Sequence, residues 1–272
     1  MQARSALFDV YGDHVSRRGG WAPVAGLVKA LSALGIAPPA TRTAVSRMAR
    51  EGWLESVELS GQRGYSATAV ARRHLHEAHR RIYRTQHTSW DGCWDIVTVS
   101  HRGSRASRNR MVASLQYLGY AALAPGVWIA PRRSRELAER LAAESAQWHA
   151  FTGTFDGIDH ELAARLWDLD TLATEYRAFS NRLDADQALI EAGVSHEQAF
   201  VMRSRLVHQW RKFLFLDPGL PAAVLPADWP GEEAARRFGD AARHLRRPTD
   251  TFLDECLGPN SHSHGHSHVT QH

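Results

Sequence analysis

The 272-residue sequence has only two cysteines, Cys93 and Cys256, far apart and in no CxxC pair. That argues against a disulfide scaffold and against a thiolate zinc site, and it fits a reducing compartment. No apolar run approaches the roughly 18 residues that cross a bilayer. The opening stretch MQARSALFDVYGDH lacks the basic-then-apolar pattern of a signal peptide, so the expected location is the cytoplasm. Lysine is scarce too: Lys29 and Lys212 are the only two, which leaves arginine to carry the positive charge.

What is present is ordinary for a globular chain, with 43% hydrophobic and 23% charged residues. The length suits two or three domains. The net charge of +4 hides a gradient. Residues 1–90 carry 13 Lys/Arg against 6 Asp/Glu, residues 91–160 carry 8 against 7, and the rest carry 12 against 16. A basic head on a mildly acidic body points to a polyanionic partner. Arginine-rich genome composition produces similar totals, so charge alone does not decide.

Periodicity places helices over 4–16, 24–34 and from Pro38-Pro39 to about Gly52. Gly35 stands where a helix C-terminal cap belongs, and the two prolines suit a first helical turn. The alternation Leu54 to Leu59, a turn at 60–64 and the return at Tyr65 read as a hairpin, and Thr68 is placed to cap a helix over 69–84. After a linker at 85–92, strands near 94–99, 127–129 and 148–155 alternate with helices at 104–118 and 134–146, the pattern of a small α/β sandwich. From 159 onward the pattern is helical: 159–167, 169–182, 195–216 and 231–256, with a break expected at Pro248. The expected class is a multidomain α+β protein. Its parts are a winged helix-turn-helix at 1–84, an α/β domain at 85–157, an all-helical domain at 158–258 and a disordered His-rich tail at 259–272.

The third helix, Thr41-Arg42-Thr43-Ala44-Val45-Ser46-Arg47-Met48-Ala49-Arg50, carries the strongest chemical signal. Ala44, Val45, Met48 and Ala49 form an apolar side. Thr43, Ser46, Arg47 and Arg50 follow the i, i+3, i+4, i+7 spacing of one opposite face. A stripe of hydroxyls and guanidiniums suits a DNA major groove, where guanidinium forks match guanine edges and carboxylates would be repelled by phosphates. Glu51 is the only acid beside it. Arg47 and Thr43 are the candidates for base edges, with Thr41 grouped beside them. Arg42, Arg50 and the hairpin-tip Arg63 are candidates for phosphate contacts, which position without specifying sequence. Arg17 and Arg18 are either further clamps or ordinary surface residues. The alternative is a solvated helix face enriched in arginine.

Ser5-Ala6-Leu7-Phe8-Asp9-Val10-Tyr11-Gly12-Asp13, Arg18-Gly19-Gly20, Arg42 to Met48 and Gly52-Trp53-Leu54 together resemble the PaaX-type family of transcriptional repressors of phenylacetate degradation. The resemblance continues at Trp90-Asp91-Gly92-Cys93-Trp94, Leu123 to Trp128, Trp167-Asp168-Leu169, Leu225-Pro226 and Asp228 to Gly231, so it covers the chain to about residue 257. It implies a ferredoxin-like middle domain similar to a CRISPR-associated endoribonuclease fold, a helical C-terminal domain, dimeric operator binding, and release by phenylacetyl-CoA or a related aryl-CoA. The separate expectation is that the chain requires no cofactor and is not an enzyme.

Such a thioester needs cations for its phosphates and an apolar slot for its aryl end. Arg105, Arg108 and Arg110 are candidates for the former, as are Arg203, His208 and Arg211. Trp210 adds an aromatic group beside those three, and Trp167, Tyr176 and Trp229 are candidates for the slot. Helically spaced tryptophans more often sit in cores. Two other functions stay open. One is a metal-dependent nuclease in the middle domain, weakened because its first strand ends at Ser100-His101 without a carboxylate and Asp95 comes too early. The other is metal response through His262, His264, His266 and His268.

Overall fold

The computed structural model describes residues 1–59, 61–83 and 89–258. Their contacts fall into two units. One comprises the described residues of Met1–Thr85, Asn181–Trp210 and Ala235–His272, and the other those of Gln86–Ser180 and Arg211–Ala234.

The first unit opens with α1 (Ala3–Asp13), β1 (Trp21–Pro23), α2 (Val24–Ala33), α3 (Pro38–Arg50), β2 (Leu54–Leu59), β3 (Gln62–Ala67) and α4 (Ala69–Ile82). Gly35 ends α2 at φ 77°, where its amide and that of Ile36 bond back to Ser32 and Leu31 carbonyls, as the sequence suggests. The Thr68 hydroxyl accepts from the Ala71 amide and starts α4. Periodicity misses β1. It is three residues long, and it makes the hairpin a three-stranded antiparallel sheet in the order β1-β3-β2. Gly64 is obligatory there, because a Cβ would stand 2.4 Å from the Trp21 ring.

The second unit runs β4 (Trp94–Ser100), α5 (Arg105–Tyr117), β5 (Ala121–Ala124), β6 (Val127–Ala130), α6 (Leu137–Ala143) and β7 (Gln147–Gly153). Its sheet is antiparallel in the order β5-β6-β4-β7, with the first and third strands central, as in split βαβ units. The short, bulged β5 is the strand that alternation does not reveal.

The C-terminal helices are α7 (Asp159–Leu166), α8 (Leu169–Ala192), α9 (His196–Trp210), α10 (Phe213–Leu216), α11 (Gly231–His244) and α12 (Arg246–Leu257). Contacts divide these helices between the two units. Phe200, Phe252 and Leu253 share one core with Leu7, Leu27, Leu31, Val45 and Met48. Leu162, Leu169, Leu220 and Val224 share another with Trp94 and Ile129. Neither half of this helical region covers its own apolar stripe, so each completes a core begun earlier in the chain. The break expected at Pro248 falls instead at Leu245. Pro248 sits in the first turn of α12, where a missing amide hydrogen costs nothing.

One buried ionic group closes the first unit. Asp13, at the end of α1, accepts from Arg203 Nε at 2.8 Å and Nη2 at 3.1 Å, from Arg17 at 2.8 Å and from the Tyr83 hydroxyl at 2.5 Å. Arg203 also donates to the Tyr83 oxygen and the Ala242 carbonyl. Asp13, His14 and Arg203 are all buried. Burial alone would raise the Asp13 carboxyl. The charges of His14, Arg203 and Arg17, with the Tyr83 hydrogen bond, outweigh that and hold it well below the usual carboxylate range. Burial pushes His14 down to about 4, so it is neutral at pH 7 and the arginines carry the charge.

Arg203→Ala strands a buried carboxylate and is expected to cost about 3–5 kcal/mol in denaturant unfolding, much of it recovered in Asp13→Asn/Arg203→Met. A loss below about 1 kcal/mol would show the pair to be peripheral. The second expectation concerns pH. An unfolded His14 takes up a proton near pH 6.5 and the folded one does not until about 4. The unfolded state therefore binds more protons in that window, and stability falls as pH drops through it, with a slope approaching ~1.4 kcal/mol per pH unit. Protonation of unfolded Asp13 continues the loss with the same sign below the ordinary carboxylate range. His14→Gln should flatten the upper part of this profile in pH-dependent melts.

Candidate nucleic-acid interface

Helix α3 begins on Pro38-Pro39 and ends where Gly52, at φ 75°, lets the amides of Gly52 and Trp53 bond back to Ala49 and Met48. Between these stops its two faces separate cleanly. Thr41, Val45 and Met48 are buried against the core, and Arg42, Thr43, Ser46, Arg47 and Arg50 are exposed on the outer side. Thr41 is therefore a correction to the expected DNA-contacting set. It lies four residues before Val45 on the inward side, wholly buried, with no hydrogen-bond partner for its hydroxyl.

The outward arginines are not equivalent. Arg42 and Arg50 have no hydrogen-bonded or ion-paired partner among the described residues. Arg47 donates from Nε to Glu51 at 3.1 Å, and Glu51 also holds Arg4 of α1 at 2.5 Å. Desolvation, the largest single influence on Glu51, would raise its pKa. The hydrogen bonds from Arg4 and Arg47 win and lower it, so Glu51 stays ionised and keeps Arg47 aligned along the helix. Sequence reading found Glu51 but not Arg4, because the link joins two helices far apart in sequence.

On the hairpin, Arg63 is exposed, donates to the Ser56 hydroxyl at 3.4 Å and stands opposite Glu58 in the β2–β3 register. Arg17 is partly exposed but committed to Asp13. Arg18 is a second correction. Its side chain is only 7% exposed, pairs with Asp254 and donates to the Gly258 carbonyl, which fastens α12 to the turn after α1 and removes it as a phosphate clamp.

The residues expected to hold an effector are divided between the units. In the first, Arg203 is the buried partner of Asp13. Trp210 is equally buried, bonds the Ile82 carbonyl at 2.7 Å and stacks on Phe238, so both are core groups rather than ligand contacts. His208 faces Asp9 at 3.1 Å and borders a small hollow with Met1, Leu34, Arg205 and Gln209. In the second unit Trp167 stacks on Trp94, and Tyr176 is fully buried between Phe213 and Trp229, with its hydroxyl on Asp217 at 2.6 Å. Tyr176 is thus a core group as well. Arg211 is partly buried, and Arg105 and Arg108 are exposed on α5. Arg110 is paired with Glu144. His262, His264, His266 and His268 lie outside the described residues.

Asp95, the one carboxylate of β4, is buried and spoken for. Arg133 donates to one oxygen from Nε and Nη2 at 2.8 and 2.5 Å, and the Tyr120 hydroxyl bonds the other at 2.5 Å.

Known proteins share this chain's order of parts. Over 248 residues it is 27% identical to the transcriptional repressor PaaX of Escherichia coli K12, a match that covers 85% of this chain and 76% of that one. A solved structure, the uncharacterized protein Rv0674 from Mycobacterium tuberculosis, is similar with a TM-score of 0.59 and 25% identity, over 92% of this chain and 98% of that chain. Family models match in succession: PaaX-like protein at residues 2–69, the PaaX central Cas2-like domain at 87–163 and the PaaX-like C-terminal domain at 167–255. With nearly all of its length matched in this order, the chain belongs to the PaaX-like family.

Proposed function

We propose that this chain is a cytoplasmic transcriptional repressor that reads operator DNA as a homodimer, through a winged helix-turn-helix formed by α2, α3 and the β2–β3 hairpin. The observation that carries the reading is the outer face of α3, with Thr43, Ser46, Arg47 and Arg50 outward and the apolar face of the same helix in the core. Its similarity to a named repressor supports the same role. In this reading Arg47 and Thr43 meet base edges, Arg42 and Arg50 hold phosphates, and Arg63 on the wing touches the backbone. A second copy doubles the few base contacts that one such helix makes.

The effector is a small molecule, an aryl-CoA such as phenylacetyl-CoA, acting on an operon for aromatic-acid breakdown. This part rests on the family resemblance. Within the chain, Arg105, Arg108, Arg211, His208, Trp167 and Trp229 stay eligible as contacts. The middle domain takes the ferredoxin-like form in this account and serves assembly rather than cleavage. The nuclease alternative gains nothing from Asp95, whose oxygens are occupied by Arg133 and Tyr120.

Footprinting upstream of the neighbouring genes is expected to show two protected half-sites, and micromolar aryl-CoA is expected to remove both. Protection that persists across a panel of acyl-CoA thioesters would eliminate this effector class. Arg47→Ala should cost about 1–3 kcal/mol of operator affinity and relax preference at one base position. Thr41→Val, which fills the same buried space, should leave that preference intact. If both variants read sequence like the parent protein, α3 is not the reading element.

A further inference from the structure

From residue 96 to residue 135 the sequence contains seven arginines and no aspartate or glutamate. Within the second unit these arginines have different fates. Arg110 is neutralised by Glu144 and Arg133 by Asp95. Arg102, Arg105 and Arg108 are exposed and have no acidic partner among the described residues. They sit within seven residues of one another where β4 passes into α5, and Arg105 and Arg108 are one helical turn apart, about 5–6 Å between Cβ atoms.

The corner that carries them is fixed by its own hydrogen bonds. The Gly103 amide donates to His101 Nδ1 at 3.2 Å, so the ring proton is on Nε2, which reaches the Ser107 hydroxyl at 3.0 Å. Ser107 in turn donates to Glu144 at 2.5 Å, and Glu144 is held from its other side by Arg110. Gly103 permits the fold of the turn, because a Cβ would stand 2.5 Å from the His101 ring. The nearby acid is thereby consumed inside the network, and three guanidiniums are left facing solvent on a rigid mount. An uncompensated cluster of this kind costs self-repulsion unless an anion meets it. Exposed guanidiniums on a helix surface match a polyanion better than a small ligand, which needs a concave site.

We infer that Arg102, Arg105 and Arg108 form a second, sequence-independent contact with the phosphate backbone of duplex DNA, carried by the middle domain and separate from α3. The inference rests on the repressor reading and deepens it: α3 specifies the sequence, and this corner adds affinity without information.

The test is the salt dependence of binding of the full chain to a random-sequence duplex of about 40 base pairs, between about 50 and 200 mM salt. Arg102→Ala/Arg105→Ala/Arg108→Ala is expected to make the log–log slope shallower by about 2–3, near 0.9 for each phosphate that is no longer neutralised. The change should be the same on a second duplex of unrelated sequence. The triple lysine variant should restore the slope, since the effect counts charges. Arg135→Ala is the control, because Arg135 is exposed beyond the opposite end of β4 and unpaired among the described residues.

A triple alanine variant with the parent slope, alongside an Arg47→Ala variant that no longer prefers its operator sequence, overturns this inference and leaves the repressor reading standing. An unchanged DNA slope without release by CoA thioester assigns the corner to a small phosphorylated ligand and also overturns it. A parent chain that binds no duplex overturns both.

Discussion

The buried pair of Asp13 and Arg203 is the constraint on which the first unit depends. A carboxylate removed from water at the end of α1 is tolerable only beside a charge and a full set of donors. Arg203 of α9, Tyr83 just beyond α4 and Arg17 supply them, while the Ala242 carbonyl of α11 takes up the remaining side of the guanidinium. Elements from both ends of the chain are thus bound to one ion pair. The close approach of α2 and α12, where a Cβ on Gly26 would stand 2.4 Å from the Cys256 carbonyl, and the grip of Arg18 on Asp254 complete the same closure. The DNA-reading head in our account is therefore not a detachable N-terminal module.

This packing also explains which arginines are available to a partner. Arg18 and Arg203 serve the fold, and Arg17 is shared with it, whereas Arg42 and Arg50 carry no internal obligation among the described residues. Arg47 lies between these groups. Its guanidinium rests on Glu51, itself pinned by Arg4, so its direction is set before any ligand arrives. A groove-facing side chain with a restrained starting position loses less rotamer freedom on binding than a free one.

Much of this was legible in the residues, for reasons specific to each case. The outward stripe of α3 follows from helical spacing, since Val45 and Met48 fix which face turns in. The caps at Gly35 and Thr68 follow from backbone chemistry that few other residues supply. What periodicity could not reveal is long-range. Thr41 looked like part of the polar stripe because hydroxyls fit either face, and only its four-residue distance from Val45 marks it as inward. Arg203 and Trp210 look identical in sequence to a ligand-binding pair, and the partners that claim them, Asp13 and Ile82, are more than a hundred residues away. The strands β1 and β5 are too short to alternate visibly. Over the C-terminal helices, pattern likewise shows that a stripe will be buried, not what buries it.

The discontinuous first unit has a consequence for biosynthesis. As the chain leaves the ribosome, α1 to α4 emerge long before α9, α11 and α12, so Leu7, Leu27 and Met48 wait for Phe200, Phe252 and Leu253, and Asp13, with Arg17 beside it, waits for Arg203. Contacts between residues this far apart in sequence slow folding and expose apolar surface meanwhile. In our proposal, the DNA-reading surface therefore reaches its full packing only once α12 has been made.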